Sequence, residues 1–436
     1  MVAMAEPMLL DLYADPVRAD PYPLLTELRE AAPVHWVSQH RGLESWIVTR
    51  FDEVRFVLAD PRFIKAPDTV PEALRRFKAA FGSEAESPGV RGVPETEVKS
   101  LLATDPPDHT RLRRLVGKAF TPRRVDGLRR RAQEVTEALL DAMDRAALEG
   151  TGVVDLVDGL TIPLPVTMIG ELVGVPPEDR ADFKKWSDAL LVVARDEEGR
   201  RSRQAGAEAL RAYFADLVAE RRRTMRPELA PDAQPDLVSA LLTARDEDGR
   251  LSEPELLSML MVVLAAGHET TGNLIGDAVL ALFDWPEQRR RLQEHPELLR
   301  VAVEEMLRFI GPVMQSTLRI ASDDVEVGGV VIPAGSVVVA MLGAANRDPR
   351  RFPDSDRFDV SREENPHLGF GHGIHFCLGA PLARMEAEIA LGSLLRRFPD
   401  LSLAVDRGAI PWRPSALLRG PAELPVRLAA RDAREG

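Results

Sequence analysis

Cys377 is the only cysteine in 436 residues, and it stands in Phe370-Gly-His-Gly-Ile-His-Phe-Cys377-Leu-Gly-Ala-Pro-Leu-Ala-Arg384. Gly371, Gly373 and Gly379 surround it. A backbone this rich in glycine suits a place where something flat and large must approach closely. The Ala- and Leu-rich run that follows predicts a helix to about Phe398. Cys377 then sits at the helix N-terminus, where unpaired N–H groups and the positive end of the dipole stabilise a thiolate. Such a thiolate is a soft ligand suited to iron. Two plainer readings compete. A lone cysteine is usually a small buried hydrophobe. His372, His375 and Cys377 also read as zinc ligands, but structural zinc takes four, usually with paired cysteines.

Composition narrows the setting. With 45% hydrophobic and 29% charged residues the chain is ordinary globular material. It shows no repeat and no linker, so residues 21–436 are expected to form one large domain behind a loose extension, 1–20. No run of 18 apolar residues appears, and Met1–Pro23, with Glu6, Asp11, Asp15 and Asp20, has neither a basic nor an apolar leader region. A cytoplasmic protein that does not enter a membrane is expected. One cysteine excludes an internal disulfide and agrees with a reducing compartment. A net charge of −13 argues against nucleic acid as a partner, while leaving room for a local basic face.

Helix dominates the predicted elements. Short helices are expected around 23–31 and 54–58, with a hairpin from Val34–Val37 and Trp46–Thr49 between them. Residues 64–100 read as a long loop. Asp105 is the expected N-cap of the next helix, which puts His109 and Arg113 on one face. Another helix follows Thr121-Pro122. Helices fit 163–173, 177–193, 204–226 and 236–244, and the charged run Arg195–Arg201 is expected to break the middle pair. Ser252-Glu-Pro-Glu255 is a capping box opening a helix that runs to about Phe283, on the order of 45 Å. Its middle, Met259–Leu264, is apolar all round, as a buried helix requires. A helix over 296–309 precedes strands at 317–320, 325–327, 330–332 and 336–341, then an irregular stretch, 343–369. Weak strands near 401–405 and 417–427 end the chain.

The long helix carries Ala265-Ala266-Gly267-His268-Glu269-Thr270-Thr271 at its centre. A carboxylate and two hydroxyls in an apolar helix are costly unless they face a cavity or find partners. Thr270 bonding back to a carbonyl one turn earlier is the plain alternative. Glu305-Met-Leu-Arg308 sets opposite charges one turn apart, a pattern that usually marks a solvated surface pair.

The pattern Phe-x-x-Gly-x-His-x-Cys-x-Gly resembles the haem-binding loop of the cytochrome P450 monooxygenases, particularly the soluble bacterial ones. The resemblance covers about residues 20–425, with four motifs in family order. It implies the mainly α cytochrome P450 fold, a single large helical domain with a small β-rich region. It implies haem b bound through Cys377, with Phe370 packed on the thiolate side and Gly371 and Gly379 in the binding loop. His109, Arg113, Arg319 and His375 are implied as partners of the haem propionates. The helix segment is similar to the family's oxygen-activating motif. By that match Gly267 leaves room for O2, Thr270 steadies the bound oxygen and Glu269 relays protons. Glu305 and Arg308, completed by Arg357, look like the family's structural triad.

The resemblance further implies a monomer that takes electrons from NAD(P)H through a ferredoxin reductase and a ferredoxin. Arg111, Arg114, Lys118, Arg123 and Arg124 are the expected docking face. The whole looks most like bacterial macrolide and polyketide tailoring enzymes, which hydroxylate or epoxidise bulky, partly apolar natural products. Val262, Val263, Ala266, Val313 and Leu417 are the expected pocket walls, along with parts of 66–100 and 185–195. A haem-thiolate sensor without turnover is the alternative, and the intact Glu269-Thr270 pair argues against it.

Overall fold

The capping box forms as its residues require. The Ser252 hydroxyl accepts from the Glu255 N–H, and the Glu255 carboxylate accepts from the Ser252 N–H at 2.8 Å. The helix it opens, Glu253–Asp284, is buried along most of its length and forms the axis of the molecule. The structure is a computed structural model. It describes residues 6–12, 14–39, 42–66, 71, 100–191, 197–245, 249–415 and 417–428. Most of the loop expected at 64–100 therefore lies outside the described residues.

In chain order the first helices are α1 (Asp15–Ala19), α2 (Tyr22–Ala31), α3 (Phe51–Ala59), α4 (Asp108–Ala119), α5 (Pro122–Gly127) and α6 (Arg129–Glu149). Next come α7 (Pro163–Val173), α8 (Arg180–Leu191), α9 (Glu197–Thr224), α10 (Leu237–Thr243) and the axial α11 (Glu253–Asp284). The last are α12 (Pro286–Glu294), α13 (Leu299–Phe309), α14 (Leu342–Ala345) and α15 (Ala380–Arg397). One six-stranded sheet is built from β1 (Met8–Leu10), β2 (Val34–Gln39), β3 (Glu44–Val48), β4 (Phe63–Ile64), β6 (Arg319–Ala321) and β9 (Val337–Ala340). Its order is β1-β2-β3-β9-β6-β4, so the amino-terminal hairpin is joined to strands from far along the chain. Val325–Val327 and Val330–Ile332 form a separate hairpin, and Val153–Asp155, Ser402–Leu403 and Pro425–Arg427 a small third sheet. Among the described residues no helix is long and apolar enough to cross a membrane.

Three expectations need correction. The described residues before 20 are not loose: Met8–Leu10 pairs in parallel with Val37–Gln39, and α1 follows. The chain divides into α8 and α9 near the charged run as expected, but Glu197–Arg201 belongs to the second helix and forms the first turns of α9, where Arg200 and Arg201 pair with Glu197. Asp105 does not cap α4. Its Oδ2 accepts instead from the N–H groups of Lys65 and Ala66, each at 2.8 Å.

The irregular stretch before the cysteine loop is organised by one ion pair. Glu305 and Arg308, on α13, are both fully buried and bonded twice, at 2.7 and 2.8 Å. Arg308 also donates to the carbonyls of Asn346, Ser355 and Arg357. Glu305 accepts from the Asp359 N–H, from Asn365 Nδ2 and from Arg362, 3.2 Å away. The third member expected from sequence, Arg357, is exposed and lends only its carbonyl; Arg362 supplies the second cation. Asn346 carries the order onward, its Oδ1 accepting from the Leu368 N–H at 2.7 Å, two residues before Phe370.

Removing one partner of a buried, hydrogen-bonded pair leaves an uncompensated charge. Glu305→Ala should therefore cost about 3–5 kcal/mol in urea unfolding. Arg357→Ala should stay within about 0.5 kcal/mol of the parent.

Candidate active site

The middle of α11 and the cysteine loop face each other across a cavity of about 300 Å³. Cys377, Gly371, His375, Phe370 and Gly379 lie on its floor, and Val262, Val263, Ala266, Gly267, Glu269 and Thr270 form one wall. Val313, Gln315, Ser316 and Thr317 line it from the turn after α13, with Leu417 and Leu418 beside them. The sequence-expected site residues other than the Glu305 network thus converge on one space. Leu101, Leu102 and Ile169 also line it and were not singled out from sequence. No described residue of 185–190 lines it.

The floor is held in place from two directions. Gly373 has φ +73°, and a Cβ there would stand 2.8 Å from the Leu58 carbonyl oxygen, so the loop lies directly on the end of α3. The Cys377 N–H donates to the Phe370 carbonyl at 2.9 Å. Arg384 lies over the Phe370 ring, 4.6 Å from its centre, and binds Glu304 at 2.7 Å. Burial pushes the Glu304 carboxyl up, but its bonds to His367 and Arg384 outweigh that and hold it at about 2.

Gly379 is the N-cap of α15, so Cys377 lies at the helix N-terminus as expected, and the N–H groups of Gly379 and Ala380 point at the cysteine sulfur. They do not by themselves make a thiolate. Burial raises the Cys377 thiol above its ordinary value, and these N–H groups together with Arg113 and Arg384 offset only part of the rise. A bound metal cation is what deprotonates a thiol in such a place. The zinc reading finds no support, since no group of three His, Cys, Asp or Glu able to hold a metal occurs among the described residues.

On the α11 wall, the Thr270 hydroxyl donates to the Ala266 carbonyl at 2.7 Å within an unbroken helix. That is the back-bond considered above, yet Thr270 still lines the cavity. With its proton committed to Ala266, Oγ1 presents lone pairs to the cavity and is an acceptor there. Glu269 is almost wholly buried and its Oε1 has no hydrogen-bond partner. Gly267 lines the cavity, and it also has a packing role beside the one expected. A Cβ there would meet Ile169 Cδ1 at 2.7 Å, so Gly267 lets α7 approach α11.

One end of the cavity is cationic. His109, Arg113, Arg319 and His375 line it, with the rings of His109 and His375 4.4 Å apart. Lys65, which sequence reasoning missed, reaches the same place and donates to the carbonyls of Thr317 and Leu318. Burial lowers all of these groups: Arg319 to about 10, and His375 to about 3 with help from Lys65, His109, Arg319 and Arg113. His109 Nε2, His375 Nε2 and Arg319 Nε are buried without a partner. Crowded cations with idle donors fit a ligand that brings carboxylates. A haem, with two propionates and an iron for Cys377, suits this donor set.

The Leu417–Leu418 wall is pinned from behind. The Met314 N–H donates to the Leu417 carbonyl and the Arg419 N–H to that of Pro312. The Arg419 guanidinium is buried, 3.2 Å from Asp277 of α11, bonded to the Ala19 carbonyl and laid over Trp412 at 4.0 Å. Burial raises the Asp277 carboxyl to about 6 despite that partner.

Known proteins resemble this chain in sequence and fold. The family pattern described as Cytochrome P450 matches residues 62–407. Cytochrome P450 monooxygenase PikC of Streptomyces venezuelae is 44% identical over 426 residues, 97% of this chain and 95% of that one. Mycinamicin IV hydroxylase/epoxidase of Micromonospora griseorubida is 45% identical over 402 residues, 92% of this chain and 94% of the relative. The solved structure of the mixed-function P450 MycG superposes with a TM-score of 0.82 at 42% identity, covering 97% of this chain and all of the other. Likeness of this extent in both sequence and fold makes the chain a member of the cytochrome P450 family, and a monooxygenase.

Proposed function

We propose that the protein is a cytoplasmic, monomeric haem-thiolate monooxygenase that hydroxylates or epoxidises a bulky, partly apolar natural product of the macrolide or polyketide type. The observation that carries this reading is the convergence of Cys377, the Glu269-Thr270 pair and the cation cluster on one cavity. Haem b held by a cysteine thiolate supplies the reductive activation of O2 and the transfer of one oxygen atom. Cys377 would be the axial ligand; His109, Arg113, Arg319 and His375 would hold the propionates.

The chain's own work is to manage protons and exclude water. Thr270 Oγ1, an acceptor toward the cavity, holds a protonated oxygen in place. Glu269, buried with an idle oxygen, passes the protons that splitting O–O requires. The apolar wall of Val262, Val263, Ala266, Val313, Leu417 and Leu418 orients the substrate and keeps the site largely dry. The apolar lining of the α11 wall and the named substrate of the mycinamicin enzyme support the substrate class.

Electrons would come from NAD(P)H through a ferredoxin reductase and a ferredoxin. The docking face is smaller than the five basic residues read from sequence. Arg111 pairs with Glu255, and Arg124 is spent on the carbonyls of Ala119, Pro231 and Gln234. Arg114, Lys118 and Arg123 are the exposed members, although Lys118 donates to the Arg245 carbonyl and Arg123 lies 3.8 Å from Asp232, and Ile374 and Phe376 project from the cysteine loop.

Three outcomes test this reading. The reduced protein with carbon monoxide should show the strongly red-shifted band of thiolate-ligated haem, and Cys377→His should abolish that band even where haem is retained. Thr270→Ala should keep haem content and substrate binding while hydrogen peroxide replaces hydroxylated product per NAD(P)H consumed; Thr270→Ser should restore coupling. Glu269→Gln should slow turnover instead. Reduction by ferredoxin should fall as ionic strength rises, and reversing Lys118 and Arg123 should slow it without changing substrate binding. Salt-insensitive reduction would remove the docking face from the proposal.

A further inference from the structure

Three of the basic groups at the end of the cavity share one acid. Asp105 is the carboxylate that acts on Lys65, His109 and Arg319 alike. It stands just ahead of α4 and is fixed by accepting the N–H groups of Lys65 and Ala66, each at 2.8 Å. Those bonds hold the chain where it leaves β4 and turn the Lys65 side chain inward. Lys65 Nζ then reaches the carbonyls of Thr317 and Leu318 at 3.0 and 2.9 Å, while Arg319 Nη1 donates to the Phe63 carbonyl at 3.2 Å. Lys65 and Arg319 thus lace β4 to β6 on either side of one seam, and Asp105 sits at its end.

From this geometry we infer that Asp105 is a positioning residue for the haem, which sets with Lys65 the charge of the cation cluster and so the reduction potential of the bound cofactor. The inference rests on the reading that this cluster faces the haem carboxylates. The physical reason is simple. Reduction adds one negative charge to the site, so a nearby fixed negative charge opposes it and a nearby positive charge assists it. Neither residue need touch the iron, because Coulomb energy falls only as the inverse of distance in a poorly screened interior.

Dye-coupled spectroelectrochemical titration of the substrate-free holoenzyme tests this without knowledge of the substrate. Asp105→Asn keeps an oxygen for the Lys65 and Ala66 N–H groups and removes only the charge. It should raise the potential, favouring reduction by about tenfold in the equilibrium constant for a unit charge roughly 10 Å away. Lys65→Met should lower it by a similar factor, and the double variant should return close to the parent. Asp105→Glu, which keeps the charge, should leave the potential near that of the parent. Opposite signs for the two single variants are the signature of charge; a purely structural role would not produce them. Shifts of the same sign, or no shift in either, overturn the inference. Should Asp105→Asn fail to take up haem while Asp105→Glu succeeds, the need for the charge is upheld; should both fail, side-chain shape governs and the inference is wrong. A parent protein lacking the thiolate carbon monoxide band would mark a separate failure, that of the reading beneath.

Discussion

Two opposite charges sealed from water hold the floor of this molecule. An exposed Glu–Arg pair one helical turn apart is worth little. At Glu305 and Arg308 the same pair is fully buried, and its remaining donors and acceptors engage backbone from residues 346 to 359 and the side chains of Arg362 and Asn365. That stretch has almost no regular structure, so its peptide groups must find partners elsewhere. The ion pair supplies them and, through Asn346 and Leu368, sets the approach to Phe370 and Cys377. The position of the sulfur is thus decided by charges well away from it.

The cysteine shows how opposed effects are balanced. Helix N–H groups and two arginines favour the thiolate, while burial disfavours it more strongly. The same tension appears at the other end of the cavity, where burial works against every cation and idle donors face inward. Both ends of the cavity are unbalanced in a way that one ligand corrects: an iron for the sulfur and carboxylates for the cations. A protein that stabilised these groups fully by itself would have less free energy left to gain from binding its cofactor.

Much of this was legible before any coordinates. The capping box, the all-apolar run and the glycine-ringed cysteine are local patterns, and local patterns survive translation into structure: Ser252 caps as expected, and α7 spans 163–173 as read. What failed depends on contacts distant in sequence. Asp105 looks like a cap, but Lys65 and Ala66, some 40 residues earlier, claim its carboxylate. Arg357 matches the motif by spacing, yet the backbone turns its side chain outward and brings Arg362 to Glu305. Met8–Leu10 finds a partner strand that no local rule announces. Lys65 was invisible because nothing in a lone lysine says which strand it will cross.

The fastening of Arg419 carries a consequence for how such an enzyme changes its diet. Through this residue the Leu417–Leu418 wall is tied to the central helix, to the amino-terminal segment and to the turn after α13. A wall moored at so many points cannot flex to admit a larger guest, nor can it be redrawn by one substitution without slackening distant parts of the fold. The freedom to remodel lies across the cavity, where Leu101 and Leu102 approach from the segment ahead of α4, outside that mooring. Lineages built on this frame would then diversify from one bank of the pocket only, and chimaeras that exchange that bank would inherit a new appetite while keeping the old furnace.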